Sequence, residues 1–546
     1  MSDNSSNTDY IPLSAYQIAI LERQGCSCGD WTQVKVSAHT DLSKIHRVNF
    51  AGEILIGNNV VLSDIGLLEA QSFSDCGIGT EVSVLDETGS RAIRIYPGIS
   101  AQLALIAARC PEWSHGMAKH IIDSHIIKFV SPPAIGDGAV VRNCGILRDI
   151  NIGSGCVIEG AQYLNNGTII NNSIQPASLT HIGFGVNAEN FIIEDAAVES
   201  GTLLRNCYVG QGCVLDKGFT AHDSLFFANC MMENGEACAL FAGPYTVSMH
   251  KSSLLIGCQT SFMNAGSGTN QSNHMYKLGP KHWGILERGV KTSSDSYIMF
   301  GAKIGAFSLL MGQHKTHPDS SEFPFSYLFG DDRGATVVVP AAMLRSCGLM
   351  RDEKKWPLRD LRLNRVKHLN DRIIYDVLNP LTVETMLKAL DVIQQLLTHP
   401  ADDDRYLRYK GMKLTRASIE RARYLYELAI YKYLHIHSAE NDDIHNNTDT
   451  KPVEWLDIAG LLVSRNTLQE IMAMESIDAM EQAFDLEFKN YDTYQRKWIA
   501  SRFTEKWHKH PEVIANYASE FDRMIEEDRN KSLEDIAIQN EMLRLL

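Results

Sequence analysis

Ile135-Gly-Asp-Gly-Ala-Val140 opens the stretch that decides the fold of this chain. The same six-residue phrase returns as Ile152-Gly-Ser-Gly-Cys-Val157, Ile182-Gly-Phe-Gly-Val-Asn187 and Val209-Gly-Gln-Gly-Cys-Val214. Four copies within residues 135–214 indicate an internal repeat, which is typical of proteins built by stacking one structural unit on the next.

Aliphatic residues between these copies recur at steps of six. A helix requires steps of three and four and an ordinary strand a step of two, so six indicates a short strand followed by a corner. Three such units predict one turn of a three-sided coil of about eighteen residues, with the aliphatic side chains inside and Gly or Asn at the corners. The residues at this step are Ile152, Ile158, Leu164, Ile170 and, one silent step later, Ile182.

An Ile or Val followed by Gly-x-Gly, then Ala or Cys, then Val resembles the hexapeptide repeat of the left-handed parallel β-helix proteins, the superfamily of the trimeric acyltransferases. Most members of that superfamily are acyltransferases or sugar-nucleotide enzymes. The resemblance implies a left-handed coil. The spacing alone predicts a three-sided coil and does not determine its handedness. The layout of a long interrupted coil followed by a helical region is similar to an uncharacterised bacterial family of β-helix proteins.

The distribution of residue types predicts three regions. Only Gly411 and Gly460 of the 39 glycines follow residue 350, and no cysteine does. We therefore expect a mainly β chain, with an N-terminal cap over 1–45, a β-helix over 46–350 and an α-helical domain over 351–546. Helical spacing over 97–124 and a polar, glycine-rich stretch over 264–293 predict two insertions in the coil.

Composition excludes several functional classes. A net charge of −15 argues against a general nucleic-acid binder, and no apolar run is long enough to span a membrane. The polar first ten residues lack the features of a signal peptide, so we expect a cytoplasmic protein. The twelve cysteines are then expected to be reduced, and Cys26-Ser-Cys28 lacks a second pair, so we predict no metal site.

The resemblance implies a histidine that acts as general base on an acceptor hydroxyl or amine, with an acyl thioester such as acyl-coenzyme A as co-substrate. Ala221-His222-Asp223 is similar to the Ala-His-Asp around the catalytic histidine of some of those acyltransferases. The alternative interpretation of His222 is a corner histidine bonded to backbone.

A second cluster, Met311-Gly-Gln-His314-Lys-Thr-His317-Pro-Asp319, combines two histidines, a lysine and a carboxylate. We interpret it as an anion or phosphate pocket completed by the 264–293 stretch, and we take His314 and His282 as candidate bases beside His222. A purely polar loop is the alternative. The substrate-binding candidates are His274, Lys277, Lys281, Trp283, Lys315, His317 and Asp319.

Two functions remain open on the sequence. The first is a transferase acting on a sugar, a sugar nucleotide or a similar hydroxylated or amino acceptor. The second is a non-catalytic ligand-binding or assembly protein that uses the coil as a scaffold and the helical region for partners. By analogy with the hexapeptide proteins we expect a homo-oligomer, a trimer with a dimer as the rival.

Overall fold

The computed structural model describes residues 10–71, 74–174, 179–272, 282–398, 406–438, 454–503 and 510–545. Between residues 34 and 329 the chain winds through about 16 β-solenoid turns, and a helical region follows. The predicted β coil with helical insertions and a helical C-terminal region is thus confirmed. No described helix is both long enough and apolar enough to cross a membrane.

The chain divides into two compact units. The first comprises residues 1–259, 360–371 and 475–477, and the second comprises 260–359, 372–474 and 478–546. Segment 360–371 has no helix and is joined to the first coil by backbone hydrogen bonds, including Lys367 N to Asn172 O at 3.0 Å. Residues 351–546 are thus divided between the two units.

The coil of the first unit has two kinds of corner, each marked by one residue in left-handed backbone. The phrase Ile-Gly-x-Gly spans a six-residue side, and its second glycine has a positive φ, as at Gly138 (69°) and Gly155 (70°). Other sides are five residues long and carry Asn or Asp in that conformation, as at Asn166 (51°) and Asn190 (53°). Left-handed backbone suits Gly, Asn and Asp best, which explains why these residues recur.

Five-residue sides explain why the sequence steps are imperfect. Leu164 and Ile169 are fully buried, whereas Ile170, the residue predicted to point inward, is half-buried. Ala188 pairs with Leu204 and Leu204 with Ala221, so one turn advances 16 residues from 188 to 204 and 17 from 204 to 221. The turn is shorter than the eighteen residues predicted, because Asn166 and its equivalents turn the corner one residue early.

Parallel strands of the first unit form its coil and bury aliphatic side chains along the axis. The strands are Val34–Ser37, Ile45–Gly52, Ile54–Ile56, Val61–Ala70, Ala134–Ile135, Val140–Ile152, Val157–Glu159, Tyr163–Ile170, His181–Ile182, Asn187–Glu194, Ala197–Val198, Leu203–Val209, Val214–Asp216, Thr220–Phe226, Met231–Glu233, Glu236–Cys238, Phe241–Ala242, Val247–Ser248 and Leu254–Ile256.

The predicted N-terminal cap contains one short helix, α1 (Ala15–Arg23), with a capping box between Ser14 and Gln17. Strand Tyr10–Pro12 precedes it and pairs antiparallel with Val34–Ser37. Strand Ser27–Cys28 follows α1 and pairs in parallel with Ile45–Gly52. The antiparallel strand covers an exposed strand edge at the start of the coil.

The predicted insertion over 97–124 is helical. It contains α2 (Ala101–Arg109), a π-helix (Trp113–Met117) and α3 (Lys119–Ile127), and it follows a hairpin of strands Glu81–Val82 and Ile93–Arg94. Buried carboxylates anchor its beginning. Asp371 Oδ1 accepts from Ala101 N at 2.7 Å, at the N-terminus of α2, and Glu194 Oε2 accepts from Gly98 N at 2.9 Å.

The second unit also contains coil strands, and four of them lie within the predicted 264–293 excursion. Residues 273–281 of that excursion lie outside the described residues. Its polar residues misled the prediction because coil corners are themselves rich in Gly, Asn and Ser. Strand Cys258–Thr260 overlaps the unit boundary, and the others are Asn264–Ala265, Asn270–Ser272, Gly284–Leu286, Lys291–Thr292, Tyr297–Met299, Lys303–Ile304, Leu309–Met311, Gln313–His314 and Tyr327–Gly330.

Antiparallel pairing ends the ladder in the second unit. Strand Thr336–Val339 pairs antiparallel with Tyr327–Gly330 and in parallel with the hairpin strand Met412–Leu414, whose partner is Leu407–Tyr409. The helices after this point are α4 (Cys347–Leu358), α5 (Pro380–Thr398), α6 (Arg416–Ser438), α7 (Arg465–Met472), α8 (Ile477–Arg502) and α9 (Pro511–Leu545).

The region predicted to be α-helical, 351–546, also contains β structure. Trp455–Ile458 and Leu461–Ser464 form an antiparallel hairpin. Its two-residue turn, Ala459-Gly460, has positive φ at both positions, which matches the twist of a tight hairpin. The C-terminal region is therefore helical with two small hairpins rather than entirely α.

Candidate functional site

Two rows of outward side chains border an open groove of about 350 Å³ on one face of the first coil. Parallel pairing in register repeats the same position from turn to turn, so each row takes one residue from each strand. Along each strand, the residue of one row is two positions from the residue of the other row, so the side chains of both rows point to the same, outward face. One row contains Tyr163, Asn187, Leu203, Thr220 and Glu236, and the other contains Glu189, Arg205 and His222.

His222 is the titratable base of this groove, and its side chain is 52% exposed. Its Nδ1 lies 3.1 Å from Asp223 Oδ2. An Nδ1–H donated to this carboxylate leaves Nε2 with a lone pair, which is the tautomer that a general base requires. The groove therefore presents an exposed imidazole whose tautomer is set by a neighbouring carboxylate.

Asp223 is held in place by the corner that it forms. It has a positive φ of 49°, and its Oδ1 accepts from Ser83 N and from Asn206 Nδ2, both at 3.2 Å. Asn206 accepts in turn from Asn190 Nδ2 at 2.9 Å, and Asn190 accepts from Asn166 Nδ2 at 2.9 Å. A ladder of corner amides thus ends at Asp223, whose carboxylate contacts His222, and the ladder fixes the position of that carboxylate.

The thiol beside His222 is not an activated nucleophile. Cys238 Sγ lies 3.9 Å from His222 Nδ1 and donates to Glu87 Oε1 at 3.1 Å. Burial, followed by the charge and hydrogen bond of Glu87, raises the pKa of Cys238 far above its ordinary value. A reactive cysteine needs a lowered pKa and a positive environment, so the arrangement favours the imidazole as the reactive group.

The groove combines charged, polar and apolar side chains. Arg205 is 68% exposed and only 3.9 Å from Glu189, which is a weak, solvent-screened pair. Leu203 is 44% exposed on the opposite row. An apolar contact flanked by carboxylate, guanidinium and amide groups suits a polar small molecule, and the volume falls in the range of small-molecule sites.

His314 occupies a different environment from the one predicted. Its side chain is fully buried inside the coil of the second unit, and its Nδ1 is 2.9 Å from Thr336 Oγ1. Its Nε2 has no hydrogen-bond partner in the described part of the chain. Burial lowers the pKa of His314 to about 4. A neutral imidazole enclosed in the core cannot reach an external acceptor, so the geometry does not support it as a base.

The neighbours of His314 have structural contacts rather than a shared pocket. His317 Nδ1 bonds Phe300 O at 2.7 Å, and Asp319 Oδ1 accepts from Ser321 Oγ at 2.6 Å. Lys315 is exposed on the outside of the coil. These contacts fit the alternative interpretation of the cluster, a polar loop that stabilises its own turns.

The remaining predicted residues do not form a described pocket with that cluster. His274, Lys277 and Lys281 lie outside the described residues. His282 is exposed, and Trp283 is half-buried and accepts at its carbonyl from Gly301 N at 2.9 Å. In the ranges that the structure covers, no three His, Cys, Asp or Glu side chains are grouped to hold a metal ion, and all twelve cysteines are free.

Sequence reasoning found His222 but missed the rest of the groove. Tyr163, Asn187, Arg205 and Glu236 belong to separate turns and carry no motif of their own. Their common signal is their place in the repeat, one residue before or after an inward aliphatic position. An alignment of the turns at their inward residues, with sides of five as well as six residues, would have placed these groove residues in adjacent rows.

Comparison with known proteins gives a family and no activity. A family model described as a domain of unknown function (DUF4954) matches residues 10–62 and 55–397. A second model, described as a domain of unknown function (DUF6819), matches residues 440–540. An uncharacterized protein of Treponema pallidum (strain Nichols) is 25% identical over 386 residues, which is 64% of this chain. The chain spans 52% of the length of that relative.

Proposed function

We propose that this chain, which belongs to the family described as domain of unknown function DUF4954, is a transferase that moves an acyl group to a hydroxyl or amine of a small polar acceptor. The observation that carries the proposal is the pair His222–Asp223 at the edge of the groove, with Nδ1 3.1 Å from the carboxylate. The class of reaction follows from the resemblance of the repeat to the hexapeptide acyltransferases, and a left-handed coil is part of the same proposal.

The chemistry requires one base and one orienting acid. His222 Nε2 removes the proton from the acceptor, whose oxygen or nitrogen attacks the carbonyl carbon of an acyl thioester. The carbon–sulfur bond then breaks, and the imidazolium returns the proton to the departing thiolate. Asp223 stabilises the imidazolium that forms between these steps. A positioned base of this kind contributes about 10²- to 10⁴-fold to a rate.

The acceptor is a polar molecule with several hydrogen-bonding groups, such as a sugar or a sugar nucleotide. Asn187 and Glu236 offer hydrogen-bond partners on one row, and Arg205 offers a guanidinium on the other. The exposed Leu203 provides an apolar contact for a ring face. These side chains support the acceptor class because they offer both polar and apolar contacts, which match the hydroxyl groups and the apolar face of a sugar ring.

The test is acyl transfer by the full-length protein, followed by mass spectrometry of a panel of sugars, nucleotide sugars and amines with acetyl- and longer acyl-coenzyme A. His222→Gln should reduce turnover by about 100-fold or more. The matched control is His181→Gln, because His181 also lies on a coil strand and also pairs with a carboxylate, Glu199, but does not line the groove. Equal turnover of the two variants, or no product with any pair of substrates, would refute the proposal.

A further inference from the structure

A second cavity, of about 130 Å³, lies under the helical insertion of the first unit. The hairpin strand Ile93–Arg94 forms one wall, and α2 and α3 form the others. Seven of its lining residues are apolar, and they are buried except for Ala92 and Ile122, which are half-buried. The apolar lining residues are Ala92, Ile93, Tyr96, Ile99, Leu103, Ala107 and Ile122.

Charged groups line the same cavity, and two cations share one carboxylate there. Asp123 pairs with Lys119 at 2.7 Å and also with Arg94, whose Nε donates to Gly79 O at 3.2 Å. Lys119 is 61% exposed, so its ammonium group can turn toward a second anion. Glu81, the other acidic lining residue, is exposed and makes no ion pair with either cation among the described residues.

The π-helix Trp113–Met117 supplies two further lining residues. Ser114 Oγ donates to Ala107 O at 3.0 Å, and His115 Nε2 lies 2.6 Å from Ala92 O. A π-helix widens the local backbone and is frequently found at functional sites. This π-helix lines the cavity and belongs to an insertion that the coil does not need for its own ladder, which favours a binding role for the cavity.

We propose that this cavity binds a short-chain monocarboxylate, with its hydrocarbon chain between α2 and the hairpin and its carboxylate at Lys119 and Arg94. Size sets the chain length. An apolar cavity of about 150 Å³ holds benzene, so a cavity slightly smaller holds a chain of about six carbons with its head group outside. Charge sets the head group, because Lys119 and Arg94 share the carboxylate of Asp123 and neither pairs with Glu81 among the described residues. This binding site is independent of the groove at His222.

The experiment is calorimetric titration of the full-length protein with three six-carbon probes, sodium hexanoate, hexan-1-ol and hexylamine hydrochloride. Hexanoate should bind once per chain with a dissociation constant on the order of 1 mM, and the alcohol and amine should bind about tenfold more weakly or not at all. Lys119→Gln should weaken hexanoate by about tenfold, whereas Lys128→Gln, a matched charge removal outside the cavity, should not.

A second variant tests the cavity itself. Ala107→Leu fills the space from α2 and should abolish hexanoate binding, with circular dichroism confirming an unchanged fold. Hexanoate binding that survives Ala107→Leu, equal binding of hexanoate and hexylamine, or equal effects of the two lysine variants would overturn the proposal. The absence of any binding heat at a hexanoate concentration of about ten times the expected dissociation constant would also overturn the proposal.

Discussion

Asp223 has two roles that depend on the same backbone conformation. As the last member of the amide ladder it turns a corner with a φ of 49°, and this turn directs its Oδ2 to His222 Nδ1. Asn166, Asn190 and Asn206 occupy the equivalent corners of the preceding turns. The carboxylate at this position is therefore not required by the corner, since asparagine is accepted there. We propose that the carboxylate serves the histidine.

Replacing this carboxylate with an amide separates the two roles. Asp223→Asn should leave the melting temperature within about 2 °C of the wild type, because the corner and its ladder persist. It should still lower acyl transfer by about tenfold or more, because the amide no longer stabilises the imidazolium. Calorimetry and the turnover assay measure the two effects. A variant as active as the wild type would show that Asp223 serves the corner alone.

Glu194 gives the first unit a predictable dependence on pH. It is fully buried, and burial, followed by the charge of Asp195, raises its pKa from 4.5 to about 7. Tyr208 donates to it at 3.1 Å. The folded protein therefore holds this proton more tightly than the unfolded chain does. The stability from protonated Glu194 is complete below about pH 4.5 and is lost as the pH rises toward 7.

Glu194→Gln should remove this loss, because the amide is neutral at every pH. Relative to the wild type, the variant should gain stability between pH 5 and pH 8, by up to about 3 kcal/mol. Melting temperatures at the two pH values measure the gain. Glu112→Gln, at an exposed carboxylate on the helical insertion of the same unit, is the control. A difference between Glu194→Gln and wild type that does not change with pH would contradict the assignment.

For strands and corners, the sequence was informative where a residue type occurs mainly in one backbone conformation. The second glycine of each phrase marks a six-residue side, so the coil and its axis could be predicted from the repeats. Asn166 has the same function on a five-residue side but gives a weaker signal, because asparagine also occurs outside corners. The inward position was consequently assigned to Ile170 instead of Ile169.

Elements outside the repeat were predictable only in part. The helical insertion follows from apolar residues at helical spacing, although α2 is buried on all sides from Ala101 to Ala108 rather than on one face. The hairpin at 455–464 lies in the region predicted to be α-helical and was not foreseen, because Ala459 at a positive φ gives no sequence signal of a turn. The polar composition of residues 264–293 indicated a loop. The strands in this stretch are only two or three residues long and are separated by polar corners, so the sequence shows no clear strand period there.

The amide ladder can be tested at Asn190, its middle member. Asn190→Gly keeps the left-handed backbone but loses the two side-chain hydrogen bonds, at a cost of about 1–2 kcal/mol. Asn190→Ala loses both the bonds and the conformational preference, and should cost about 1 kcal/mol more than the glycine variant. Chemical denaturation of both variants measures the difference. If Asn190→Ala were as stable as Asn190→Gly, the left-handed backbone of this corner would not disfavour alanine, and the prediction would be wrong.

At the scale of the molecule, the sequence predicted the architecture better than the site. The coil is determined by many small repeated signals, whereas the groove depends on how turns align. His222 was found through its local resemblance, and His314 was favoured because charged neighbours suggested a pocket. Residues 313 and 314 form a strand in which the alternation of side chains directs His314 inward and Gln313 outward. Local charge therefore gave no indication of its burial.

The proposed activity carries an expectation for assembly. Hexapeptide acyltransferases commonly assemble as trimers, and the groove is open on one side, where another copy can complete it. We expect a homotrimer of about 183 kDa, three times the 60.9 kDa of the chain. Light scattering after size-exclusion chromatography measures this mass directly. A mass near 61 kDa at micromolar concentration would contradict the trimer and leave the groove to a single chain.

We propose that the molecule acts at the face of the coil that carries His222. A crystal structure of the full-length protein with coenzyme A would show whether it does. We expect coenzyme A along the two rows of the groove, with its thiol beside His222 and the imidazole still paired to Asp223. Coenzyme A bound at a different place on the chain, with the groove empty, would refute the proposal.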